Sequence, residues 1–217
     1  MKYLLIKELR LAASPLSYIF LVASLMTLLP GYPILMSAFF ICFGIFHSFQ
    51  SAREANDTLY TVLLPVKKRD FVRAKFIFTC LIQAAGFVLC AALTVLRMTL
   101  LADAGPYVSN ALMNATPYYL TFVLLIFTAF NVLFVGGFFK TGYKIGIPFL
   151  IFGIAAFLLI VPAEILPHIP GLAFLHTPSG ERLGLQLILL LGAAVIWGIS
   201  TVLACRKAEE RFEKIDL

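Results

Sequence analysis

Six runs of residues free of Asp, Glu, Lys and Arg recur along the 217-residue chain, at 11–29, 34–49, 76–96, 118–139, 145–162 and 183–205. An apolar helix of about 20 residues crosses the hydrocarbon of a bilayer, whereas a strand that does so has about 10 residues of alternating polarity. These runs are apolar on both faces, so each reads as a spanning helix. The expected fold is all-α: a polytopic membrane protein with six transmembrane helices in one transmembrane domain over residues 1–217. The first two runs, separated only by Pro30-Gly31-Tyr32-Pro33, are short and imply local thinning or little tilt. Composition agrees, because 13% charged residues is too little to solvate a water-facing surface, where about 25% is usual.

The position of the charges sets the expected orientation. With six spans both termini share a side, and that side receives fifteen of the seventeen Lys and Arg residues; Arg97 and Arg182 are the exceptions. It also carries eight of the eleven acids, leaving Asp103, Glu164 and Glu181 opposite. By the positive-inside rule the basic side is cytoplasmic, with N-in/C-in topology. The +6 formal charge is therefore a topology signal and predicts no nucleic-acid partner. Glu8, the near-continuity of the first two runs and the lack of a small-x-small pattern after Leu29 argue against a cleaved signal peptide. Cys42, Cys80, Cys90 and Cys205 fall inside spans without CxxC spacing and read as small buried residues.

Catalytic signatures fail one by one. His47, His168 and His176 belong to no HExxH motif, so no metal site is expected. Thr177-Pro178-Ser179-Gly180 resembles the middle of a membrane phosphatase signature, but Glu181 stands where His should follow. Glu209-Glu210 lies in a polar tail, not in a membrane helix where paired glutamates could activate water. The stretch GFFKTGYK at 137–144 lacks the Gly-Lys-Ser/Thr step of a phosphate loop and sits between two apolar runs. No ionisable residue occupies the middle of a span, which disfavours ion-coupled transport. What remains inside is mild polarity: Ser24, Thr27, Ser37, Thr79, Thr128, Gln186, Ser200 and Thr201, which read as hydrogen-bonding stitches, and Gln83 and Asn131, the best candidates to line a pathway.

The polar stretch 51–75 carries most information. Leu59, Val62 and Leu63 recur at helical spacing with Glu54 and Asp57 on another face, predicting a short amphipathic helix that ends at Pro65. Lys67, Lys68 and Arg69 fit a headgroup anchor, while the acidic helix before them suits a groove in a soluble partner. These residues resemble the ABC-2 type transporter permeases: Glu54-x-Asn56-Asp57, then Leu63-Leu64-Pro65-Val66-Lys67-Lys68, then Phe71-Val72-x-x-Lys75 is similar to that family's acidic helix, "Leu-Pro-Val-Ser-Arg" turn and "Ile-Val-x-x-Lys" entry to the third span. Here Leu64 replaces a small residue and Lys67-Lys68 replaces Ser-Arg.

The resemblance implies a permease subunit of the prokaryotic plasma membrane, paired with a second permease subunit and two copies of an ATP-binding cassette subunit. This chain would bind no cofactor and catalyse nothing; ATP and Mg would sit in the partner. Residues 51–75 would hold the coupling helix, with Glu54, Asn56, Asp57, Leu59, Tyr60 and Leu63 contacting the ATPase. Short re-entrant helices are expected in the external loop 163–182, where Pro167, Pro170 and Pro178 break any long helix. The apolar interior favours export of an amphipathic or hydrophobic substrate, such as a peptide, antibiotic or lipid. The alternatives are a non-transporting assembly or sensor protein that recruits a partner through 51–75, and a membrane-embedded enzyme.

Overall fold

A computed structural model describes residues 2–109, 112–175, 177 and 182–215; His176, the 178–181 stretch, Asp216 and Leu217, named above, lie outside the described residues. Every element among them is helical. The chain opens with α1 (Lys2–Lys7), continued by a π turn at Glu8–Ala12. Next come α2 (Pro15–Ile19), extended by a 3-10 helix at Phe20–Leu28, α3 (Met36–Glu54), α4 (Asp57–Leu63), α5 (Lys68–Thr99) and α6 (Gly105–Ser109). α7 (Pro117–Ala129) passes through a π segment (Phe130–Val135) into α8 (Gly136–Phe138), and α9 (Gly146–Ile165) and α10 (Leu183–Glu213) complete the bundle.

Four helical stretches are long and apolar enough to cross a membrane: Lys68–Thr99, Pro117–Phe138, Gly146–His168 and Leu183–Glu213. The pair Lys2–Ala12 and Pro15–Leu28, bent by 90°, makes a fifth if taken as one span. The protein is thus an all-helical, multi-pass membrane protein. The 19-residue α3 is not among the four. Its apolar half is enclosed by other helices, and its second half carries His47, Gln50 and Arg53.

The bend after residue 12 has a local cause. Pro15 disfavours a helical Ser14, which is extended at ψ 138°, and the Ser14 hydroxyl then caps the next helix by accepting from the Leu16 amide. α1 therefore lies across the bundle instead of extending the first apolar helix. The helix boundaries also differ from the apolar runs at α5 and α10, which continue well past the apolar stretch at their charged ends.

Helices in lipid gain nothing from burying oil against oil, so they associate by close contact and hydrogen bonds. α2 and α3 show both. The Ser17 hydroxyl donates to the Gly44 carbonyl at 2.7 Å and meets the Ser48 hydroxyl at 2.6 Å, while the Ser14 amide donates to Ser48 Oγ at 2.8 Å. A Cβ at Gly44 would stand 2.7 Å from Phe20 Cβ and 3.1 Å from the Leu16 carbonyl, whereas one at Gly86 would meet the flexible tip of Ile41 at 2.7 Å. Gly44→Ala is accordingly expected to destabilise by about 1–2 kcal/mol, because α2 must move. Gly86→Ala is expected to be near neutral, as its helix-propensity gain of about 1 kcal/mol offsets a rotamer change. Melting of the two variants in the same detergent checks the order.

Elsewhere aromatic rings fill the gaps. Phe46 and Phe149 lie 4.1 Å apart between ring centres, and Phe130 packs edge-on against Phe152 at 5.0 Å, joining α3, α7 and α9. Pro162 lies inside α9, and the prolines of 163–182 leave only 3-10 turns at Leu166–His168 and Ala173–Leu175 among the described residues.

Candidate functional site

Contacts sort the chain into two ends. One end gathers Lys7, Asp57, Lys75 and, through Lys68 donating to the Ile215 carbonyl at 2.6 Å, the close of α10. At the other, Thr27 meets Tyr119 and Arg97 reaches Asn114.

The basic end is organised around four alternating charges. Lys75 Nζ lies 2.6 Å from Glu8 Oε2 and 3.5 Å from Asp57 Oδ2; Lys7 Nζ lies 2.6 Å from Asp57 Oδ1 and 3.2 Å from Glu8 Oε1. The Lys75 and Glu8 side chains are 2% and 1% exposed. The ring joins three segments that are far apart in sequence: the N-terminal π turn, α4 and the foot of α5. Lys7 also donates to Thr61 Oγ1 at 2.7 Å, and the Phe49 and Phe71 rings lie 5.6 Å from the Lys75 ammonium. The buried Lys75 and the partly exposed Lys7 are thus neutralised and capped by ring faces, which keeps the desolvation cost bearable.

This ring fixes which way α4 faces. The amphipathic helix predicted before Pro65 is present, and its polar side (Asp57, Thr58, Thr61) is turned into the protein. Leu59, Tyr60, Leu63 and Leu64 are 45%, 64%, 74% and 55% exposed. Of the residues singled out from the sequence, Leu59, Tyr60 and Leu63 therefore share one outward apolar face, and Asp57 does not join them. Glu54 is exposed at the end of α3, where Gln50 donates to it at 3.1 Å. Asn56 takes φ 53° between α3 and α4, a left-handed conformation that Asn tolerates well and that turns the chain from one helix into the next. Lys7, Glu8, Thr61 and Lys75 had not been picked out as site residues. An acid and a base inside an otherwise apolar N-terminal helix were the available signal, since neither is placed there without a partner.

Gln83 and Asn131 meet in mid-bundle, both fully buried. Gln83 Nε2 donates to Asn131 Oδ1 at 2.9 Å and Asn131 Nδ2 returns the bond to Gln83 Oε1 at 3.0 Å. Asn131 Nδ2 also donates to Thr201 Oγ1, and the Trp197 indole to Gln83 Oε1 at 3.2 Å. Asn131 sits in the π segment of the fourth apolar run, where the wider, locally underwound turn shifts its amide toward α5 and α10. The arrangement ties α5, α7 and α10 together, and Gln83 additionally lines an apolar cavity of about 360 Å³ between them.

The basic end of the bundle thus presents the exposed apolar side of α4, anchored from behind by charges. A family model described as ABC-2 family transporter protein matches residues 3–209. This chain belongs to the ABC-2 transporter family. Searches of curated proteins and of solved structures found no match. As an ABC-2 protein it is the membrane component of a transporter, a permease and not a catalytic subunit, and its family works with an ATP-binding cassette partner in general. The α3–α4–α5 corner falls inside the matched region, as do Gln83 and Asn131.

Proposed function

We propose that the protein is the permease subunit of an ABC exporter and that the outward face of α4 receives the force of ATP hydrolysis. The observation that carries this reading is the inverted amphipathicity of α4: its polar side is held by Lys7 and Lys75, and its apolar side is left to water. A helix that offers its apolar side outward suits a groove on a soluble partner. In the working complex six helices, α2 with its 3-10 extension, α3, α5, α7–α8, α9 and α10, cross the membrane, with both termini and the fifteen basic residues in the cytoplasm. α1 lies along the inner surface, its exposed Tyr3 and Leu11 toward lipid.

Two cassette subunits supply ATP and Mg, and a second permease subunit completes the translocation unit. Leu59, Tyr60 and Leu63 fill the cassette groove, Glu54 and Asn56 border it, and Asp57 acts from the inner side by holding the helix to Lys7. The substrate is amphipathic or hydrophobic, in keeping with the apolar cavity walled by Phe87, Phe127 and Leu190. Gln83 and Asn131 close the mid-bundle in the state described, and opening their amide bridge is the step that would connect the cavity between α5 and α10 to the interior.

Leu59→Asp with Leu63→Asp is expected to abolish co-purification with the cassette subunit while leaving the melting temperature of the isolated permease within about 2 °C, since exposed positions rarely matter to folding. Recovery of an undiminished complex would overturn the coupling role of α4.

A further inference from the structure

Along one side of α5 three depressions run end to end. The first, at the basic end, has a volume of about 560 Å³ and is bordered by Lys67, Lys68 and Arg69 with Asp70, Arg73 and Glu213. Arg73 also opens the second, of about 440 Å³, whose floor passes Ile77, Cys80 and Ala84 toward Trp197. Ala84 and Trp197 in turn border the third, the cavity of about 360 Å³ that ends at Val88 and Leu191. Shared walls make these one groove between α5 and α10, polar and cationic at its foot and apolar above.

Its dimensions match one kind of molecule. Arg73 to Val88 is fifteen helical steps, about 22 Å at 1.5 Å per residue. One leaflet is about 15 Å deep in hydrocarbon, so an acyl chain fits the upper groove along its whole length. At the foot, Arg69 and Arg73 are engaged by Glu213 and Glu209 through paired hydrogen bonds of 2.6 to 3.0 Å. Lys67 is exposed and Lys68 donates to a backbone carbonyl, so these two ammonium groups carry the positive charge offered to a headgroup.

We propose that this groove is a binding site for an anionic phospholipid, with its phosphate at Lys67 and Lys68 and one acyl chain laid between α5 and α10 past Trp197. A bound chain there would wedge the two helices that Gln83, Asn131 and Thr201 tie together. The proposal shares with the preceding section the cytoplasmic placement of the basic end, which makes the lipid one of the inner leaflet.

The chain has a single tryptophan, and it stands in the wall of the groove. The full-length permease in nanodiscs, which offer the same lipid on both sides and make the readout independent of orientation, is titrated with phosphatidylglycerol or phosphatidylcholine brominated on the acyl chain. Expected is quenching of Trp197 at several-fold lower mole fraction of the anionic lipid, about fivefold for each lysine engaged. Lys67→Gln with Lys68→Gln, melting as the parent does, should equalise the two lipids, and Ala84→Phe, which fills the exposed floor of the groove, should reduce quenching by both. Equal quenching of the parent by the two lipids would overturn the proposal, as would protection of Trp197 from either lipid, the sign of a second copy of the chain covering the groove. Loss of the cassette complex in the α4 variant would leave this result untouched, so the two readings fail separately.

Discussion

Lys75→Met is expected to destabilise the permease by about 3–5 kcal/mol, measured by reversible SDS unfolding in mixed micelles. The substitution keeps the length of the side chain and its packing between Phe49 and Phe71, so the loss reports the charge. Removing the ammonium leaves Glu8, 1% exposed, with Lys7 at 3.2 Å as its remaining cation. An uncompensated buried charge costs that much, whereas removing both members of a buried pair often costs little. Glu8→Gln added to Lys75→Met should therefore recover most of the loss, and the double-mutant cycle should show a coupling of about 2 kcal/mol or more. Asp57→Asn should cost less than Lys75→Met. Asp57 is 16% exposed and its nearest cation, Lys7, is 19% exposed, so water reaches the charge left behind, whereas Lys75→Met strands Glu8 out of its reach. Exchanging Glu8 and Lys75 should rescue only in part. The ring alternates in sign, and the exchange sets Lys7 beside a new lysine and Asp57 beside a new glutamate. Additive losses at Glu8 and Lys75 would mean that the four charges do not act as a unit.

The same ring explains what could be read from the chain and what could not. The last four apolar runs each lie within a helix long enough to cross a membrane, because in lipid the backbone has no other way to satisfy its hydrogen bonds, whereas 34–49 falls in the shorter α3 and 11–29 breaks at Ser14-Pro15. Their charged ends were harder. Apolarity stops at Phe76, but α5 begins at Lys68, since nothing in Lys-Arg-Asp-Phe-Val-Arg-Ala-Lys opposes a helix once it leaves the hydrocarbon. The break at Ser14-Pro15 falls inside the run 11–29 that reads as one span: the proline was the local signal, and the hydrogen bonds to Ser48 and Gly44 that hold the bent chain come from residues some thirty positions away. For α4 the periodicity was right. Its facing depends on partners that periodicity does not contain: an amphipathic helix ordinarily buries its apolar side, and only Lys7 and Lys75 on other segments make the polar side the buried one. Leu59 and Leu63 were found by their spacing, which also set Asp57 on another face, while Val62 from the same periodicity packs against the core; Tyr60, and the grouping of Asp57 with the contact residues, came from the family resemblance, which says nothing about which side of the helix meets a cation. Gln83 and Asn131 were singled out as polar residues deep in apolar runs, which is sound physics for importance. That the two bond to each other follows from α5 and α7 being neighbours, a fact of packing.

The opposite end of the bundle makes the second large prediction, because there a buried cation is held with no carboxylate partner among the described residues. Arg97 is 3% exposed, and its guanidinium donates to the Thr27 carbonyl at 2.7 Å, to Asn114 Oδ1 at 3.1 Å and to the Met113 carbonyl at 3.3 Å. The Tyr107 ring lies 4.6 Å from it, and Tyr107 in turn donates to the Leu28 carbonyl at 2.9 Å. Among the described residues its partners are thus oxygens of neutral groups. Thr27 is the penultimate residue of the 3-10 helix, where the residue three on is Pro30 and has no N–H to give, and Met113 lies in the bend before α7, so Arg97 serves carbonyls left open at the ends of helices. One planar fork closes three segments at once. Arg97→Met should therefore cost about 3 kcal/mol or more, since hydrogen bonds to a charged donor are worth about 1.5–3 kcal/mol and the orphaned acceptors stay buried. Arg97→Lys should recover less than half of that, because a single ammonium reaches one or two of the oxygens and stacks poorly on Tyr107. Melting in detergent ranks the three proteins, and hydrogen exchange of the amides at 27–29 and 112–116 should accelerate in Arg97→Met with little change at α4. An Arg97→Lys protein as stable as the parent would show that charge alone, and not the fork, holds this end together.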